Sequence, residues 1–131
     1  MCVVMDANDF TKELSDAQEL MRNEKYKEAL ILLGKLKKAD NAGDFDYNLT
    51  HKLYQLISNS QSLYNQQIVL GTIQKISHKQ KSISFQRLKE ILRENENLDI
   101  DEQILRREVE ILILRSLLDG EIEENGLNFS I

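Results

Sequence analysis

The spacing of apolar residues changes along this chain of 131 residues, and the change limits the folds available to it. From about Asn8 to Ile76, apolar residues recur three or four positions apart, which is the spacing of one face of an α-helix. In the last eleven residues apolar and polar residues alternate, which is typical of a strand with one buried face. The pattern therefore predicts a mainly helical fold that ends in a small β-hairpin.

The helical spacing predicts four helices in the N-terminal and central parts of the chain. The first covers residues 8–22, and the second runs from Tyr26 to about Lys38. The cluster Asp40-Asn-Ala-Gly-Asp44 is the strongest breaker in the sequence and predicts a loop. The polar stretch Ser58–Ser62 is expected to loosen or end the third helix, and a fourth then extends to Ile76, weakened at Gly71.

The last third predicts a different arrangement. A short extended segment at residues 81–85 leads into a compact helix, Gln86–Arg93. A longer helix is expected from Asp101 to Leu118, with Gly120 as its C-terminal stop.

The hairpin that follows is predicted to turn at Asn125-Gly126, a pair favoured in two-residue type I′ turns. This turn sets Ile122 opposite Phe129 and places both, with Leu127 and Ile131, on the face toward the core. A terminal strand has one free edge, which can pair with a strand of a partner or be merely capped, with the flanking glutamates deterring pairing. Both interpretations stay open. The predicted protein-interface residues are Ile122, Leu127, Phe129 and Ile131.

A helix, a short strand, a helix, a longer helix and a closing hairpin form the order of a winged helix, here over residues 68–131. The segment Leu117-Leu-Asp-Gly-Glu-Ile-Glu123 resembles the end of a PCI domain, the module shared by subunits of the proteasome lid, the COP9 signalosome and translation initiation factor three. Upstream, residues 22–30 are similar to the turn and second helix of a tetratricopeptide-like unit. The resemblance implies a subunit of a multi-subunit complex that joins its neighbours through winged helices. PCI proteins usually carry several helical repeats, whereas this chain has room for one or two.

The sequence therefore divides into a helical part, residues 1–66, and a winged helix, residues 67–131. The apolar residues Ile111–Leu114 and Leu117-Leu118 surround the long helix on nearly all sides, and such a helix is buried on all sides. We expect this helix to pack on both parts and to join them as one unit. The alternative is that some of this apolar surface contacts another chain.

Charge argues against duplex DNA as the partner. The net charge is −5, and residues 94–131 hold eleven acidic residues against three arginines. The third helix of a winged helix enters the DNA groove, yet here it begins with Asp101-Glu102, and the hairpin carries only acidic charges. Residues 72–93, in contrast, hold six lysines and arginines against one glutamate. This stretch is either a solvated helical face or a nucleic-acid contact, for which the candidates are Lys75, Lys79, Lys81 and Arg87.

The sequence offers no catalytic or metal-binding constellation. His51 and His78 are isolated, Cys2 has no paired base, and no cofactor or small-molecule substrate is expected. No apolar run approaches the ~20 residues of a membrane span, and the N-terminus lacks a secretory signal, so we expect a cytoplasmic or nuclear protein. The predicted function is that of a non-enzymatic scaffold or adaptor subunit that binds other proteins. The alternative is a winged-helix regulator that binds nucleic acid through residues 75–93.

Overall fold

A computed structural model describes residues 6–43 and 45–129 of the chain. The described residues form five helices and three strands: α1 (Ala7–Arg22), α2 (Tyr26–Ala42), α3 (Tyr47–Ser77), β1 (Ser82–Ser84), α4 (Phe85–Asn95), α5 (Glu102–Leu114), β2 (Gly120–Ile122) and β3 (Gly126–Phe129). The chain divides into two compact units, residues 1–64 (unit 1) and residues 65–131 (unit 2), with the division inside α3. The predicted mainly helical fold with a small C-terminal sheet is confirmed.

Unit 1 is built from α1, α2 and the first half of α3. The Asp6 carboxylate begins α1 by accepting a hydrogen bond from the Asp9 backbone N–H at 2.8 Å. α2 runs past the predicted end at Lys38, and the Asp40 carboxylate accepts a hydrogen bond from the Thr50 hydroxyl at 2.5 Å. The apolar faces of the helices meet in a core of buried residues: Phe10, Leu14, Ala17, Leu33, Leu36, Leu53 and Leu56.

α3 is one helix of 31 residues, so the prediction of two separate helices is wrong. The polar stretch Ser58–Ser62 continues the helix, and Gly71 lies within it. Serine and asparagine each cost a helix only a few tenths of a kcal/mol, and glycine about 1 kcal/mol, whereas a true breaker such as proline costs about 3 kcal/mol. The burial of neighbouring residues such as Leu56 and Val69 offsets these small penalties.

Unit 2 combines the second half of α3 with α4, α5 and a three-stranded antiparallel sheet of order β1-β3-β2. The Ser84 hydroxyl caps α4 by accepting from the Arg87 N–H at 3.1 Å, and the Asp101 carboxylate caps α5 by accepting from the Gln103 N–H at 2.7 Å. The core of the unit consists of buried residues from all these elements: Val69, Ile73, Ile83, Phe85, Leu88, Leu92, Ile100, Leu105, Val109, Leu112, Leu118, Leu127 and Phe129.

α5 ends at Leu114, four residues before the predicted end, and Gly120 begins β2 instead of stopping the helix. Ser116 has a φ of 60°, in the left-handed region. Its N–H donates to the carbonyl of Ile113 at 3.0 Å, and the Leu117 N–H donates to the carbonyl of Leu112 at 3.0 Å. These two bonds form a Schellman motif, which terminates the helix with serine where glycine is the usual residue.

We expect the substitution Ser116→Gly to raise the free energy of unfolding by about 1 kcal/mol, because glycine adopts the left-handed conformation without the steric cost of a Cβ. Urea unfolding followed by circular dichroism measures the change. Ser116→Ala is the matched control and should bring no gain, because alanine keeps the Cβ. Equal stabilities for the glycine and alanine variants would contradict this account.

The hairpin turns one residue earlier than predicted. Ile122 pairs with Leu127, and Gly120 pairs with Phe129, so the predicted pairing of Ile122 with Phe129 is wrong. The two loop residues are Glu124 and Asn125, and neither has the positive φ that a type I′ turn requires. The residue opposite Ile122 changes by two positions, from Phe129 to Leu127, and a shift of two keeps each side chain on the same face. The predicted core and exposed faces are therefore confirmed for the part of the hairpin that the structure describes.

The sequence predicted Gly126 as a turn residue, but the structure requires glycine there because of a close backbone contact. It begins β3 with a φ that is not positive, so conformational freedom does not explain the glycine. A Cβ at this position would overlap the carbonyl oxygen of Ile83 and lie 2.9 Å from the Cα of Ser84. Gly126 is therefore the residue that lets β1 approach β3.

Candidate protein-docking edge and basic cleft

The predicted interface residues lie in the sheet of unit 2, but their side chains do not form an open surface. Leu127 and Phe129 belong to the buried core, and Ile122 is partly buried against it. Ile131 lies outside the described residues. The prediction that the terminal strand has a free edge is wrong, because β3 is the central strand and pairs with β1 on one side and β2 on the other.

On the side away from β3, no strand of the described residues pairs with β2. In an antiparallel ladder, opposed residues alternate between pairs that exchange hydrogen bonds and pairs whose N–H and C=O groups point outward. The Glu123 N–H donates to the Gly126 carbonyl at 2.8 Å, which makes this a hydrogen-bonded pair. By alternation, Ile122 and Gly120 direct their backbone groups outward. An added strand would find donors and acceptors there.

The outer edge of β1 is less open. Its two outward-facing residues are Ser82 and Ser84, by the same alternation. The Ser82 carbonyl already accepts a hydrogen bond from the Gln80 side chain at 2.8 Å. The Ser84 hydroxyl is used in capping α4. The edge of β2 is therefore the better candidate for pairing with another strand.

Two exposed leucines precede the β2 edge in the chain. Leu114, the last residue of α5, is 83% exposed, and Leu117 is 46% exposed. The prediction that this helix is buried on all sides is therefore wrong, because only the face that carries Leu105, Val109 and Leu112 is buried. The Leu114 side chain therefore lies outside the core and mostly in solvent.

The same region is acidic. Asp119, Glu121, Glu123 and Glu124 lie in or beside β2. The Arg106 guanidinium donates to the Glu124 carbonyl at 2.9 Å, which ties the turn to α5. A surface of this charge favours partners that carry lysine or arginine.

Three of the four predicted nucleic-acid residues meet at one place in unit 2. Lys75 and Lys79 from α3 and its C-terminal end, together with Arg87 from α4, line a cavity of about 430 Å³, which we call the basic cleft. Lys81, the fourth, does not line the cleft. The Lys75 ammonium lies 3.8 Å from the Glu96 carboxylate, and the Arg87 guanidinium lies 3.3 Å from the Glu90 carboxylate.

Unit 2 holds a buried carboxylate that was not predicted from the sequence. Glu108 is fully buried in α5, where it accepts a hydrogen bond from the Gln66 amide at 3.2 Å and forms an ion pair with Arg107 at 3.3 Å. The Gln66 carbonyl oxygen in turn accepts from Arg115 at 2.7 Å. The helical spacing contained the signal, because Glu108 follows Leu105 by three positions on the apolar face. This network joins α3 to α5. Because the buried carboxylate has hydrogen-bonded partners, we interpret it as a structural contact and not as a reactive group.

The two histidines are exposed, and His51 stacks on the ring of Tyr47 with centroids 5.9 Å apart. Among residues 6–43 and 45–129, no three His, Cys, Asp or Glu side chains are grouped as a metal ion would require. None of the helices in these ranges is both long enough and apolar enough to cross a bilayer. Cys2 lies outside the described residues.

Comparisons with protein-family models, curated proteins and solved structures return no significant match to this chain. Its function is therefore inferred from its own residues and their geometry.

Proposed function

We propose that this chain is a non-catalytic scaffold or adaptor subunit, that unit 2 is a winged helix of the PCI type, and that another protein adds a strand to the edge of β2. The open backbone of Gly120 and Ile122, close in sequence to the exposed Leu114 and Leu117, carries this proposal. Main-chain hydrogen bonds would supply affinity, and the exposed leucines would supply an apolar contact.

The order of elements in unit 2 supports the winged-helix part of the proposal. The second half of α3 is followed by β1, α4, α5 and the β2–β3 hairpin, which is the order given by a winged helix. In unit 1, α1 and α2 form a helical pair, as a tetratricopeptide-like repeat would. Subunits of the proteasome lid, the signalosome and initiation-factor complexes are therefore the candidate neighbours.

The chemistry of the edge defines the segment that would bind. It must be extended, because only an extended chain matches the ladder spacing of β2. It must carry basic residues to face Glu121 and its acidic neighbours, and an apolar residue to cover Leu114. Duplex DNA does not fit this surface, because the acidic side chains repel phosphate.

The decisive variant is Leu114→Asp, which removes the exposed leucine and leaves the core intact because that side chain is outside it. We expect the affinity-tagged variant, expressed in its native cells and purified with nuclease present, to lose its partner proteins by at least about tenfold in recovery. A hot-spot residue contributes about 2 kcal/mol or more, which is more than a factor of ten in affinity.

Ile31→Asp is the matched control, because Ile31 is also exposed, at 62%, but lies in unit 1. It should retain the same partners as the unmodified chain. Equal recovery with Leu114→Asp and Ile31→Asp would contradict docking at the β2 edge, and partners that disappear with nuclease would contradict the scaffold function.

A further inference from the structure

We propose that the basic cleft of unit 2 binds a phosphate group, independently of protein docking at the β2 edge. The ligand is either a free polyphosphate or a phosphate in the backbone of a single-stranded nucleic acid. The cleft lies between the C-terminal end of α3 and α4, and its volume of about 430 Å³ is within the usual range for small ligand sites.

Three positively charged side chains line the basic cleft. Lys75 lies in the last turn of α3 and Lys79 in the turn just beyond its end, and both line the cleft, so their like charges repel. Arg87 adds a third positive charge from α4 on the other side of the cleft. An anion held among the three groups relieves this repulsion, and the guanidinium matches two oxygens of a phosphate at once.

Thr72 offers the cleft a buried hydrogen-bond donor. It lines the same cleft and is only 5% exposed, and its buried hydroxyl has no hydrogen-bond partner among the residues that the structure describes. A buried hydroxyl is normally satisfied, and a phosphate oxygen is a suitable acceptor for it. Ile76 and Ile91 provide apolar walls beside these polar groups.

The carboxylates near the cleft are weak competitors. The side chains of Arg87 and Glu90 are each about half exposed, so their ion pair contributes little. Glu96 lines the cleft and lies 3.8 Å from the Lys75 ammonium, a long contact. A polyphosphate carries more charge than either carboxylate, and a strand of nucleic acid brings several phosphates to the cleft, so both can compete with these carboxylates for the basic side chains. Removing the Glu96 charge should therefore strengthen phosphate binding.

The test is a calorimetric titration of the full chain at low salt, first with inorganic tripolyphosphate and separately with a single-stranded RNA of twelve nucleotides. We expect saturable binding of at least one of the two, weakened about tenfold by Lys79→Ala and by Arg87→Ala. Lys81→Ala is the matched control, since it removes the same charge two residues from Lys79 but outside the cleft. It should change the affinity less than twofold.

A second pair of variants tests the opposite direction. Glu96→Gln should tighten binding a few-fold, whereas Glu94→Gln, which removes the same charge from an exposed position outside the cleft, should leave it nearly unchanged. With RNA as the ligand, the slope of log affinity against log salt should be shallower by about 1.4 in the double variant of Lys79 and Arg87.

Binding of tripolyphosphate with the variant pattern above identifies a free polyphosphate as a ligand, and the same pattern with RNA alone identifies a nucleic-acid strand. Either result supports the proposal. Equal losses for Lys79→Ala and Lys81→Ala would show diffuse attraction instead of a site and would overturn it. The absence of binding to both ligands would overturn it as well.

Discussion

Replacing Phe129 with aspartate is expected to destabilise unit 2 strongly. Phe129 is 7% exposed and lies in the central strand, packed with Leu127 in the core. Losing a buried aromatic and burying an unpaired carboxylate should lower the free energy of unfolding by roughly 3–5 kcal/mol. Urea unfolding measures the loss, and amide hydrogen exchange at Leu112 in unit 2 and at Leu33 in unit 1 shows whether it is confined to unit 2.

Asn128→Asp is the control, because Asn128 is adjacent in β3 but exposed on the opposite face. The new carboxylate lies opposite Glu121 in β2, so a small loss is expected, no more than about 1 kcal/mol. A Phe129→Asp variant that stays folded and loses only a partner protein would show that Phe129 is an interface residue. The assignment of Phe129 to the core would then be wrong.

Gly126→Ala is expected to destabilise unit 2 by roughly 3 kcal/mol, the upper end of what overpacking usually costs. The added Cβ would overlap the Ile83 carbonyl oxygen, which is backbone and cannot move aside without opening the β1–β3 pairing. Thermal and urea unfolding of the full chain measure the effect.

The same substitution at Gly71 should have the opposite sign. Gly71 lies within α3 with nothing within 4 Å of an added Cβ, so Gly71→Ala should stabilise the chain by about 0.5–1 kcal/mol. Gly126→Asn separates the two explanations of Gly126. A type I′ turn would tolerate asparagine, whereas the close approach of β1 makes asparagine as harmful as alanine. A mild Gly126→Asn variant would favour the turn.

The helices of this chain were largely predictable because their signals are local. α1 and α4 begin within a residue of the predicted starts, with side-chain caps at Asp6 and Ser84. The core face of the hairpin was also predictable, because the alternation of side chains survives a shift of two positions in pairing.

Other features could not be predicted because they depend on small local preferences or on distant partners. The predicted end of α5 was wrong because Ser116 adopts the left-handed conformation, for which glycine is the usual signal. The continuity of α3 was missed because polar residues weaken a helix without breaking it. The free edge was assigned to the wrong strand because the sequence does not show that β1 pairs with β3.

The candidate sites were also predictable only in part. The sequence identified the basic residues, but only the structure gathers Lys75, Lys79 and Arg87 around one cleft and leaves Lys81 outside it. The resemblance to a family drew attention to residues 117–123. The structure shows that within this segment the outward-facing backbone groups belong to β2, and that the most exposed leucine, Leu114, precedes the segment.

By itself the sequence determined the helical class, the faces of its elements and the distribution of charge, because periodicity and composition act within a few residues of chain. Tertiary structure alone decided which strand became central, why Gly126 must be glycine, and which charged side chains converge. These outcomes depend on contacts between residues far apart in the chain, such as Ile83 and Leu127. Local preferences do not encode such contacts, because the packing of the whole unit determines which distant residues meet.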